Sequence, residues 1–79
     1  MDLREILDVA HRAEWDTHEI IRTEGLNAGL KRVEELKGHI ERLGATTRLT
    51  GKSFFAQEQS CMAQLAGVKR AVRLRGGTC

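Results

Sequence analysis

Apolar residues recur at intervals of three and four along most of the chain, the spacing of one face of an α-helix. Leu3, Ile6, Leu7, Ala10, Ala13, Thr17, Ile20 and Ile21 make the first stripe. Asp2 precedes it with Glu5 three residues on, the order of a capping box, and Met1 and Ile6 suit the flanking staple. The stripe breaks at TEGLNAG, residues 23–29. Gly25 fits a left-handed helix end with Leu26 against Ile21, and Asn27 fits the cap of a second helix. In that helix Leu26, Val33 and Ile40 share one heptad position, and Leu36 and Leu43 share another. The second stripe is displaced in phase from the first. A phase jump beside glycines predicts a turn; the alternative is one continuous helix across both stripes, forming the long arm of a helical hairpin. Gly29 and Gly38 each weaken the second helix by about 1 kcal/mol relative to alanine.

Gly44 is expected to end the second helix, with ATTRLTG (45–51) as the main loop. A third stripe carries Phe54, Phe55, Cys61, Met62, Leu65, Val68 and Val72, and runs out at Arg75-Gly76-Gly77. The predicted fold is all-α, a small bundle of three helices over about 3–24, 28–43 and 51–75. Residues 1–75 form a single domain, and residues 76–79 a flexible tail.

Composition narrows this picture. A chain of 79 residues makes one domain at most and is marginal alone, burying about 60–65% of its unfolded surface. Trp15, Phe54 and Phe55 are the only aromatic residues, so a single core has few large side chains to bury, and a homodimer is the expected state. Proline is absent and helix formers dominate. No apolar run reaches the roughly 18–20 residues of a membrane span, and charged residues interrupt any signal-peptide core after Met1, so the expected location is cytoplasmic. Two cysteines make no disulfide framework. On a third helix, Cys61 lies about 21 Å along the axis from the start of the tail that carries Cys79, too far to bridge. Cys61 reads as a small core residue.

The net charge of +2 is unevenly placed: residues 1–45 hold 7 basic and 10 acidic side chains, residues 46–79 hold 6 basic and 1 acidic. In the second half, LTGKSFF (49–55) contains the Gly-Lys-Ser of phosphate-binding loops. Such a loop needs a glycine five positions before Gly51, where Thr46 stands, and a preceding strand. With Thr50 as cap and Leu49 and Phe54 as staple, the stretch reads instead as a helix start.

Trp15 falls roughly 155° from the centre of the first apolar stripe, among His11, His18, Arg12, Asp8 and Arg22. It is either an anchor for a partner protein or packed on another helix of the chain or its dimer mate. Ala56, Ser60, Ala63, Gly67 and Ala71 form a ridge of small residues on the third helix. That ridge is either solvent-exposed or a tight helix–helix contact, with Ala56, Ala63 and Gly67 at an oligomer interface. Glu58, inside the apolar stripe, needs a partner or a wet rim.

The remaining chemistries are thin. His11, Glu14 and His18 share a helix side at ligand spacing, with His39 as a distant fourth, but a charged surface is the commoner setting. No metal or cofactor is implied. Cys61 on a core face is a poor nucleophile, and no carboxylate pair marks a catalytic cleft. Lys69, Arg70, Arg73 and Arg75, with Lys52 and Arg48 at the other end, form the candidate phosphate-binding set; cations also suit a helix C-terminus. The expected function is non-enzymatic binding of another macromolecule. The first expectation is a protein, engaged through Trp15, His11, His18 and Arg22 by an adaptor or by an inhibitor or regulator acting through occlusion. The alternatives are a nucleic-acid-binding regulator and a structural oligomer; a membrane partner is not expected.

Overall fold

In the computed structural model, which describes residues 2–77, three helices pack together: α1 (Leu3–Glu24), α2 (Leu26–Thr50) and α3 (Phe55–Leu74). Asp2 caps α1 as its spacing predicts, its carboxylate accepting from the Glu5 backbone N–H at 2.9 Å. The expected Met1 half of the staple lies outside the described residues.

The break between α1 and α2 is a single residue. Gly25 has φ 97° and ψ 167°, a region open to glycine but strained for other residues. Its N–H donates to Ile21 O at 2.9 Å, closing α1, while its own carbonyl accepts from Ala28 N–H at 3.2 Å, opening α2. Asn27 is therefore an interior residue of α2, not its cap.

The expected loop at residues 45–51 is also helix. Thr46, Thr47 and Thr50 donate their hydroxyls to the carbonyls four residues back, those of Arg42, Leu43 and Thr46. Their polar groups are thus satisfied within the helix, and Gly44 does not end it. Gly51, left-handed at φ 72°, stops α2 instead, its N–H bonded to Thr47 O at 2.9 Å. The Gly-Lys-Ser of the third stripe thus lies in the short link before α3, which begins at Phe55 rather than Gly51. Leu49, expected in a staple, is exposed.

At the other end of α3, Gly76 and Gly77 close the helix. Gly77 N–H bonds to Val72 O at 2.9 Å and Gly76 N–H to Arg73 O at 3.1 Å, with Gly76 at φ 90°, the paired bonds of a Schellman end. The remaining tail, 78–79 with Cys79, lies outside the described residues.

Neighbouring residues give the directions. Ala10 meets Gly67, Glu14 meets Arg70 and His18 meets Arg75, so α1 and α3 run parallel. Leu26 lies beside Gly77 and Gly29 beside Val72, so α2 runs antiparallel to α3. The core holds Ala13 and Ile21 of α1, Val33 of α2, and Val68 and Val72 of α3. Thr17 is buried with them, its hydroxyl donating to Ala13 O at 2.6 Å, which removes the cost of an unpaired polar group.

The α1–α3 seam settles the ridge of small residues. A Cβ on Gly67 would collide with the Ala10 carbonyl oxygen and stand 3.0 Å from Glu14 N. Ala63, Gly67 and Ala71 are buried there, within one chain. Ala63 and Gly67 are thus occupied by α1 and form no outer interface, whereas Ala56 is exposed. Turning this ridge inward turns part of the expected apolar stripe outward: Phe55 and Met62 are exposed, while Cys61, Val68 and Val72 are buried. Glu58 is half-buried and forms no ion pair among the described residues.

Candidate functional site: the groove between α1 and α3

Two parallel helices in close contact leave a shallow groove on each side. On one side α2 fills it. On the other lies an open groove of about 820 Å³, lined on α1 by Leu7, Ala10, His11, Glu14 and Trp15, and on α3 by Ala66, Gly67, Arg70, Arg73 and Leu74. Trp15 is 71% exposed, Leu7 51% and Leu74 64%. Leu3 stands one turn before Leu7 on α1. Met62 and Phe55 continue the line of Ala66 one and three turns toward the start of α3. Of the large apolar side chains exposed among the described residues, only Leu49 lies off this α1–α3 pair.

The polar groups of this face are stitched together across the seam. Arg70 Nε lies 2.9 Å from Glu14 Oε1, and Glu14 Oε2 lies 3.5 Å from His18 Nε2. Arg75 Nε donates to His18 Nδ1 at 3.2 Å. Since arginine only donates, His18 Nδ1 is the acceptor and the ring proton sits on Nε2, facing Glu14. Glu14 is thereby engaged from two sides. Arg73 forms no ion pair among the described residues.

The expected site residues separate accordingly. Trp15 and His11 line the groove. His18 belongs to the network at its end, and Arg22, which does not line the groove, pairs with Glu19 at 2.7 Å on exposed surface. That hydrogen bond holds the Glu19 carboxyl below its ordinary range and the Arg22 guanidinium above its own. At 71% exposed, Trp15 is not buried against another helix among the described residues. The phosphate-binding set is split: Arg70, Arg73 and Arg75 stand at the end of α3, whereas Arg48 and Lys52 lie before its start. The 20 residues of α3 put about 30 Å between the two groups. Lys69 is half-buried between groove and core.

His11, Glu14 and His18 do not converge on a metal: among the described residues no group of three His, Cys, Asp or Glu side chains could hold one. Cys61 is buried, and burial pushes its thiol pKa up, away from the reactive thiolate. No helix is long and apolar enough to cross a membrane. Leu7 and Leu74 are the groove residues that sequence reasoning missed. Leu7 sits in the apolar stripe yet is half exposed at the groove, and Leu74 carries no signal until the Gly67 contact sets the rotation of α3. No protein-family model, curated protein or solved structure matches the chain.

Proposed function

We propose that this protein is a non-enzymatic binding module that captures a segment of another protein on the open α1–α3 face, serving as an adaptor or as an inhibitor that occludes that segment. The observation that carries the reading is Trp15, 71% exposed beside Leu7 and Leu74 at a formed groove. A fold that hides alanine and valine while presenting its only tryptophan has the composition of an interface centre. The nucleic-acid reading has less support, because its six cations stand in two groups, and Arg70 and Arg75 are engaged with Glu14 and His18.

The test is a display selection of helical peptides on the immobilised chain, with counter-selection on a Trp15→Ala/Leu74→Ala variant whose helicity is checked by circular dichroism. Trp15 is the only tryptophan, so its emission reports burial directly. Peptides that prefer the native face and shift Trp15 emission to the blue sustain the reading. Peptides that bind both forms equally, or leave the emission unchanged, overturn it.

A further inference from the structure

Resting on that reading, we infer that the segment is an acidic amphipathic helix that lies antiparallel to α1 and α3, its acidic N-terminal turns against Arg70 and Arg73. Three observations carry this. The first is form. The groove is walled by two helices whose backbone groups are already bonded within themselves, so an extended strand would find no ladder partners there. A helix satisfies its own backbone and needs only side-chain contacts. From Phe55 to Leu74 the face accommodates about 19 helical residues, roughly 28 Å.

The second is charge. The one carboxylate that lines the groove, Glu14, is already held by Arg70 and His18. Arg73 forms no ion pair among the described residues, and the Arg70 side chain, 72% exposed, uses only its Nε toward Glu14. The outer nitrogens of both guanidinium groups remain open to a carboxylate. Asp8 and Asp16 lie with Arg12 on the far side of Trp15, outside the groove. The apolar floor therefore ends in a basic rim, complementary to acidic side chains.

The third is polarity. α3 brings its C-terminal end to this basic rim, so its dipole is negative there, while α1 runs on past it to Glu24. An antiparallel helix brings its positive N-terminus to the same place, where acidic residues in its first turns are also favoured. The added helix takes the fourth position of a bundle in which α2 already holds the mirror place, antiparallel to α3.

Three synthetic peptides of about 18 residues, capped at both ends and sharing one leucine stripe, test this. The first carries glutamates in its first two turns, the second carries them in its last two, and the third carries lysines in its first two, with glutamine elsewhere. Each is titrated against the full chain at low and moderate salt, read by Trp15 emission, with sedimentation giving the stoichiometry. The expected result is that the first binds about tenfold tighter than either of the others and weakens with salt. Arg73→Glu, an exposed change that leaves the fold intact, should bring the third peptide ahead of the first. If the lysine peptide binds as tightly as the first, the charge assignment is wrong; if the second does, the polarity is wrong. In both cases groove binding itself stands. If no peptide moves Trp15 emission, the groove reading falls as well. A blue shift with protein concentration alone, together with a doubled sedimenting mass, assigns the face to a second copy and overturns the inference.

Discussion

The two sides of the α1–α3 pair use opposite materials. On the side covered by α2, Thr17, Val33, Val68, Ala71 and Val72 lose essentially all their exposed surface. Those side chains are small, and the helices approach closely because Gly67 and Gly29 leave room. On the open side stand the bulky residues, Trp15, Leu7, Leu74, Met62 and Phe55, all more than half exposed. Hydrophobicity alone would put the second set inside. Close backbone approach, which glycine and alanine permit, decides otherwise: dispersion contacts along a tight seam outweigh the extra area that a looser, bulkier packing would hide. Stability and the proposed recognition surface are thus placed on different faces of the same two helices.

The contrast is broken most severely at the seam. Gly67→Ala adds a methyl group where the Ala10 carbonyl already sits, and the backbone cannot yield as a side-chain tip can. A loss of about 3 kcal/mol is expected, seen as a fall in Tm of more than about 12 °C by circular dichroism; an unchanged Tm would mean that the helices are farther apart. Next in size is a matched pair. Val68→Ala, at a fully buried position, should cost about 2 kcal/mol in urea unfolding, while Leu74→Ala on the open side should stay within about 0.5 kcal/mol. Equal losses would erase the distinction between the two faces.

Glycines sharpen the comparison with a gain. A Cβ on Gly38 meets only the flexible end of Arg42 at 3.6 Å, whereas one on Gly29 lies 2.8 Å from Ile21 Cδ1 and 3.1 Å from Val72 Cγ2. Gly38→Ala should therefore raise stability by up to about 1 kcal/mol through helix propensity, and Gly29→Ala should not. The smallest effect concerns Cys61. Its thiol pKa is raised in the fold by burial, so the neutral form is favoured. The stability linked to it is complete below the unfolded thiol value of about 8.5 and is lost as pH rises through the higher folded value. In a Cys79→Ser background, alkylation of Cys61 should be slow in the native state, with its rate rising at more alkaline pH than in urea. Equal profiles in the two states would contradict its burial.

Much of this architecture is legible in the chain. The phase of Ala13, Thr17 and Ile21, the Asp2 cap and the break at Gly25 all follow from local chemistry, which acts the same way in any surroundings. The angle of Trp15 away from its stripe is equally local, and the side chain is found exposed. What could not be read depends on partners distant in sequence. Threonines at 46, 47 and 50 look like loop residues until each hydroxyl is seen bonded to a carbonyl of its own helix. The rotation of α3 is set by Gly67 against Ala10, a contact that no periodicity encodes, and with it the choice of Leu74, Met62 and Phe55 as surface residues.

The parallel course of α1 and α3 also governs how the fold assembles. The α2–α3 hairpin joins neighbours through a short link, so it can form from contacts close in sequence. The seam unites residues such as His18 and Arg75, 57 positions apart, and needs α2 laid down as a spacer before it can close. Loop-closure entropy then opposes the seam until several of its contacts form together. α1 is held to α3 by contacts distant in sequence, and the same helix carries Trp15. The groove exists only while α1 is seated on α3, so closing this seam also forms the surface proposed to bind a partner.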